Sequence, residues 1–328
     1  MALDKGNAVR RVISILVVLV MLCLLPVSAG VAAQAPAVLN VAYQYGLAYA
    51  PLIVMKEYGM IQKHYDGAVE VNWQVLNSGV AINEGIVVGQ IDVGAMGVAP
   101  AIVGVMRGIP YKIFSNISSQ PHGLMTNSTD IQTLSDITSD KKIALVGIGS
   151  IQHIFLSMLA LHDLGDAHAL DNNIIAMSHP DGMTALISGA VDCQLTTSPY
   201  VFYEADIDNL HKVSNLEAVW PNGNSFIVGM ASNALYDGNP KLYRALVEAL
   251  AEAEAFIEQN ADEAAGFLAT YNDVSKEVML SWLNDPGCSF SPKLQGAMSM
   301  AAFMAEYGFI AEKPDSVSKI AYDNVEGE

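Results

Sequence analysis

An α/β protein built from two duplicated lobes is the fold class this sequence predicts, and three observations carry it. The segment GQIDVGAMG, beginning at Gly89, recurs as GAVDCQLTT, beginning at Gly189. Around both copies, short β-type runs alternate with helical stretches in the same order. The punctuation also agrees: Gly89 and Gly189 fall where a helix must stop and positive φ costs least, and Pro100 and Pro199 fall where a helix starts without losing a hydrogen bond. Strands and helices alternating through short turns imply parallel sheets covered on both faces.

The first half opens on the β-type run LNVAY (39–43), which leads into the helical stretch APLIVMKEYGM (50–60). A strand VEVNWQVL (69–76) follows, then a helix ending at Gly89, a strand around Val93, a helix opening at Pro100 and the strand YKIFS (111–115). The second half runs in the same order: KIALV (142–146), the helix IQHIFLSMLALHDLG (151–165), NNIIAMS (172–178) and a helix ending at Gly189. It closes with a strand around Cys193, a helix opening at Pro199 and the strand HKVSNL (211–216), so that Lys112 and Lys212 fall at matching places. SFIVGMAS (225–232) reads as one more strand, after which the chain turns helical. Asn239 and Pro240 form an N-cap and first-turn pair, and Leu242, Leu246, Leu250 and Ile257 make one stripe along the helix that follows. Further helices are expected at 261–271, 275–283, 293–308 and 316–324, with Met298, Met300 and Met304 as core filling.

At 328 residues, with 52% hydrophobic and 15% charged side chains, the chain is long enough to bury two cores. Its beginning reads as a separate segment. Lys5, Arg10 and Arg11 precede the apolar run VISILVVLVMLCLLP, and small residues follow in VSAGVAAQA. That order predicts a secretory signal peptide over residues 1–33, cleaved near Ala33, with an uncleaved anchor as the alternative. Cys23 lacks the small residues that precede a lipoprotein cysteine. Loss of the leader removes three basic and one acidic side chain, so the net charge of −18 becomes −20. Such a surface repels nucleic acid and anionic membranes. Cys193 and Cys288 remain and are expected as separate buried thiols.

Several segments resemble those of a known family, the ABC-transporter periplasmic substrate-binding proteins of the nitrate, sulfonate and taurine type. VAYQYGLAYAPLIVMKEYGMIQKHY (41–65) resembles the family's opening strand, ligand loop and helix, with its KE-x-G-hydrophobic signature at Lys56, Glu57, Gly59 and Met60. VVGQIDVGAMGVAPAI (87–102) is similar to the helix, G-x-x-D, strand, G-x-x-P segment, and MTALISGAVDCQL (183–195) to a second G-x-x-D. GIGSIQHIFL (147–156) resembles the second-lobe Gly/Ser turn, and residues 239–269 the C-terminal lobe helix followed by N-x-x-E-A. The resemblance covers residues 38–324. It implies a type II periplasmic binding-protein fold, two α/β lobes joined by a two-stranded hinge, with crossings near 118–126 and 220–225. Lobe one would be 38–120 plus 226–328, and lobe two 121–225. Implied with it are capture of a small molecule between the lobes, delivery to an ABC permease in the inner membrane, a periplasmic location, a monomer, no cofactor and no enzymatic activity.

Physical reasoning places the site independently. In open α/β sheets ligands sit beyond the carboxyl ends of the strands, where helix N-termini present unpaired N–H groups. Those places are the loops YQYGLAYA, LNSG, AMGVAP, GIGSIQH, SHPDG, TTSPY and PNGNS, none of which contains Lys or Arg. An anion there is held by backbone amides, hydroxyls and side-chain amides, each such bond contributing roughly 1.5–3 kcal/mol. Gln44, Ser78, Ser150, Gln152, Thr197 and Ser198 are the donor candidates, with Tyr45 and Tyr200 as aromatic walls and Gly97, Val98, His153 and Ser225 completing the set. Val98 stands where the family often has a polar residue, and TTSPYVF replaces its aromatic-acidic-Pro pattern, so selectivity is expected to lie there.

The ligand expected is a small organic anion of the alkane- or arylsulfonate, taurine or nitrate class. A pyrimidine or thiamin precursor, or a quaternary amine held by cation–π contact, is the alternative within the binding class. An exported sensory domain and an enzyme like the pyrimidine synthases of thiamin synthesis are the alternatives outside it. GIGSIQ lacks the third glycine of a dinucleotide fingerprint. His162, Asp163, Asp166 and His168 lack the spacing of a helical metal pair and read as a solvated helix end, so no metal is expected.

Overall fold

The computed structural model describes residues 37–214 and 216–328. The expected leader, its cleavage site and Cys23 lie outside the described residues. β1 (Ala37–Tyr43) is followed by α1 (Ala50–Glu57) and α2 (Met60–His64). The helix expected over 50–60 is thus broken, because Gly59 takes φ 57°, a left-handed conformation that glycine adopts at little cost. β2 (Val69–Val75), α3 (Gly79–Val87), β3 (Val93–Gly97), α4 (Val98–Met106) and β4 (Tyr111–Ser118) come next. Then follow β5 (His122–Thr126), β6 (Ile143–Leu145), α5 (Ile151–Leu164), β7 (Ile174–Ala176), α6 (His179–Ser188), β8 (Cys193–Thr197), α7 (Tyr200–Ala205) and β9 (His211–Ser214). After β10 (Ile227–Ser232) come α8 (Asn233–Gly238), α9 (Pro240–Gln259), α10 (Ala261–Asn272), α11 (Lys276–Leu283), α12 (Ala297–Glu306) and α13 (Val317–Ile320).

The strands form two sheets, ordered β2-β1-β3-β10-β4 and β7-β6-β8-β5-β9. Neither is purely parallel, which corrects the expectation from the alternating pattern. β10 runs antiparallel to β3 and β4, and β5 antiparallel to β8 and β9. The reason is topological: each sheet receives one strand directly from a connection to the other sheet, so that strand enters against the βα direction. The chain leaves the first sheet after Ser118, enters the second at His122 and returns after Ser214 to Ile227. At the junction Phe226 N–H donates to Ser118 O at 2.8 Å, and Ser119 exchanges backbone bonds with Ser289. Gln120 lies buried between them, accepting from the Ser198 hydroxyl and placing Nε2 3.4 Å from Cys288 Sγ. Cys193 and Cys288 are both free and buried.

Two helix starts differ from expectation. α4 begins at Val98 rather than Pro100, because the Val98 amide is taken by Phe226 O at 3.0 Å and fixes the first turn there. Pro199 is the N-cap of α7 rather than its first residue. Elsewhere α9 buries Leu242, Leu246, Leu250 and Ile257 against the first sheet's core, and Met300 and Met304 are fully buried.

Candidate functional site

The helices α3, α4 and α5 all begin at the carboxyl ends of strands, and their N-termini line one pocket. Its walls include Gln44, Tyr45, Tyr49, Ser78, Val80, Gly97, Pro100, Ser150, Gln152, His179, Thr197 and Phe226. Both sheets contribute to it. Residues 44–49, 78–80, 97–100 and 226–227 come from the first sheet and its helices, residues 146–152, 179 and 197 from the second. The space inside is about 50 Å³, by a measure in which one water needs roughly 10–15 Å³. Among the described residues no Asp, Glu, Lys or Arg lines it.

Three helix ends converging on uncharged walls favour a negative ligand. Ser78 caps α3 by accepting from Ala81 N–H at 3.2 Å, and Ser150 caps α5 by accepting from His153 N–H at 3.2 Å. In both serines the oxygen serves the helix, so the hydroxyl proton stays available to an acceptor in the pocket. The amides of Gly79, Val80, Ile151 and Gln152 open these helices and have no protein partner among the described residues. Gly97 closes the wall by proximity: a Cβ there would lie 2.6 Å from Ile151 Cγ2. Thr197 lines the pocket but spends its proton on Pro121 O at 3.1 Å.

Sequence reasoning did not single out His179, which follows the N-cap Ser178 in SHPDG. Its Nε2 stands 3.3 Å from Gln152 Nε2 and its Nδ1 3.3 Å from Thr196 Oγ1. Burial lowers its pKa to about 4, so the ring is neutral at ordinary pH. Tyr49 was one aromatic among several in the sequence. Its ring is buried, its hydroxyl has no protein partner among the described residues, and burial raises its pKa. At the back of the pocket His122, paired in register with Thr197, packs between Phe155 and Phe226 at ring distances of 4.8 and 4.4 Å. Burial, followed by His179 and Lys212, lowers its pKa to about 3. No sequence signal marks it, since HGL lies in the segment expected only as a crossing.

The structure brings Gln44, Tyr45, Ser78, Gly97, Ser150, Gln152 and Thr197 together around this space. It sets the other candidates outside the wall. Val98 is buried behind Gly97 with its amide on Phe226 O. Ser198 donates to Gln120, and Ser225 Oγ accepts from Gln295 N–H at 3.0 Å. Tyr200 stacks on His179 at 5.7 Å, one layer removed. His153 Nδ1 accepts from Gly149 N–H at 3.1 Å while its Nε2 faces Asp171 at 3.1 Å, and Asp171 also meets His168, whose Nε2 lies 2.9 Å from Tyr307 O. His168 is therefore engaged in a contact with the C-terminal segment, and among the described residues no cluster has the makeup of a metal site.

Ser150 makes a direct test of this wall. Ser150→Trp is expected to fill the space and weaken ligand binding more than tenfold. Losing the cap, about 1 kcal/mol, should lower Tm by only about 2–4 °C. Titration calorimetry beside a melting curve reads both, and unchanged affinity would remove the loop from the site.

The NMT1-like family model matches residues 32–269. By sequence, no curated protein matches the chain. Among solved structures, the chain is similar to the alkanesulfonate-binding protein SsuA of Xanthomonas axonopodis pv. citri bound to MOPS. The TM-score is 0.70 at 18% identity, covering 89% of this chain and 99% of that one. It is also similar to the periplasmic nitrate-binding protein NrtA of Synechocystis PCC 6803, with a TM-score of 0.71, 16% identity and coverage of 89% and 86%. The CA3427 product of Candida albicans, described as having the generic periplasmic binding protein fold, gives a TM-score of 0.69 at 17% identity, with coverage of 89% and 96%. At these identities the likeness establishes the fold.

Proposed function

The chain belongs to the NMT1-like family, and from that premise we propose that it is an extracytoplasmic solute-binding protein that captures a small organic anion between its lobes and delivers it to an ABC permease. The convergence of α3, α4 and α5 on a pocket with no charged side chain carries this reading. An anion gains the free amides and the two serine protons; a cation gains neither. We take lobe one as 38–120 with 226–328 and lobe two as 121–225, so that closure about the paired crossings brings the Ser150 and Ser78 helices onto one ligand. The neighbours that bind an alkanesulfonate and nitrate support the ligand class, and the periplasmic one supports a place outside the inner membrane for a monomeric carrier.

Thermal-shift measurements against sulfonates, nitrate, pyrimidines and betaines test the reading. A ligand at 100 times its Kd contributes about 2.7 kcal/mol, a rise of roughly 5 °C or more. Stabilisation by an organic anion is expected. Stabilisation by a quaternary amine alone would overturn the anion assignment.

A further inference from the structure

Beside the pocket the halves built on the two sheets meet a second time. The loop over 165–173, between α5 and β7, carries Asp166, His168 and Asp171 and belongs to the second sheet's half. It faces the end of α12, which packs on α4 in the first sheet's half. There His168 Nδ1 lies 2.8 Å from Asp171 Oδ2, and its Nε2 lies 2.9 Å from Tyr307 O. Carboxylate and carbonyl oxygens only accept, so both ring nitrogens must donate, which only the protonated imidazole can do. The setting suits a cation. Tyr307 is the C-cap of α12, at the negative end of the helix, and Gly308 with φ 80° ends the helical bonding there. The contact also reaches the pocket. Asp171 Oδ1 lies 3.1 Å from His153 Nε2, and His153 Nδ1 accepts from Gly149 N–H in the turn that lines the pocket before Ser150. Phe309 packs on both rings, 5.3 Å from His153 and 5.2 Å from His168.

We infer that His168 is a positioning residue for closure: donating from both nitrogens, it latches the 165–173 loop to the end of α12 and, through Asp171 and His153, holds the 147–150 turn over the pocket. The inference rests on the closing of the lobes proposed above, and not on which solute they close upon. The titratable groups around the latch are Asp166 and Asp171 on its own loop, His153 on α5, and Glu306 and Tyr307 at the end of α12, whose side chains interact with each other. The hydrogen bond to Asp171, then the one to Tyr307 O, raise the pKa of His168 above its ordinary 6.5. For a raised histidine the hold is full below 6.5 and is lost as pH rises through the folded value. The His168 side chain is 48% exposed, so solvent screens the hold and keeps it modest.

Energy transfer between dyes on Val88→Cys and Ile187→Cys, exposed positions near the far ends of α3 and α6, reads the closed fraction of the unliganded protein; the buried Cys193 and Cys288 take no label. The closed-to-open ratio is expected to be about two- to fivefold higher at pH 5.5 than at pH 8.5. His168→Gln should remove that dependence and hold the ratio at its pH 8.5 value, whereas His162→Gln, at the exposed end of α5, should keep it. The His168 ring proton resonance gives a second reading: its midpoint should lie above 6.5 and fall toward 6.5 in Asp171→Asn. A wild-type ratio that stays flat with pH, a response that survives His168→Gln, or a midpoint that Asp171→Asn leaves in place overturns the latch and leaves the anion reading intact. That reading stands or falls separately, on the thermal-shift screen.

Discussion

Replacing Gly97 with valine should weaken ligand binding about 100-fold, roughly 3 kcal/mol, with little change in the stability of the unliganded protein. The cause is the distance between lobes rather than the chemistry of the pocket. A Cβ on Gly97 would stand 2.6 and 2.7 Å from the Cγ2 and Cβ of Ile151, at the start of α5 across the cleft. Two β-branched side chains cannot share that space, so the lobes must separate. The ligand then keeps the amides of α3 and loses those of α5 together with Ser150, each worth roughly 1.5–3 kcal/mol to an anion. Gly46 makes the same kind of approach, 3.2 Å from Ser198 O, and its φ of 125° also excludes most side chains. Adding Ile151→Ala to Gly97→Val should recover part of the affinity, since the pair couples by contact. Wild-type affinity in the single variant would show that the cleft does not need to close this far.

The repeat made much of this architecture readable. Gly89 and Gly189 both adopt left-handed φ, 71° and 76°, at the ends of equivalent helices, and the strand within each copy occupies the central position of its sheet. The site was readable where function and local structure coincide: Ser78 and Ser150 are N-caps, so the signal that predicts a helix start also predicts a donor beside it. What escaped was long-range. β5 is a five-residue run with both faces buried, so it has no alternation to detect. His122 and His179 acquire their setting from β8, α5 and Phe226, elements far away in the chain. Ser198 and Ser225 read as ligand contacts because loops at strand ends usually are; here the junction between the sheets uses them, one on Gln120 and the other on Gln295.

Glu204→Gln should raise stability by about 3–4 kcal/mol at pH 7–8, or roughly 6–15 °C in Tm, and by almost nothing at pH 4.5. Glu204 on α7 is fully buried, and neither carboxyl oxygen has a partner among the described residues. Burial pushes its pKa up to about 8, against an ordinary value of 4.5. The folded carboxyl therefore keeps its proton at pH 7, while the unfolded chain releases it. For a raised acid the contribution is fully present below 4.5 and is lost as pH rises through about 8, at 1.36 kcal/mol per pH unit over that interval. Glutamine keeps the shape and cannot ionise, so the difference between the two proteins should grow across the same window. His122 and His179 work in the opposite direction. Their folded values of about 3 and 4 lie below the ordinary 6.5, so the stability they contribute is present above 6.5 and is lost as pH falls toward those values. Both histidines occur in both proteins, so their effect cancels in the difference. Melting curves from pH 4 to 9 separate the two signs: a Tm difference that does not change with pH would mean that Glu204 is solvated or paired, contrary to its burial among Val201 and the second sheet's core.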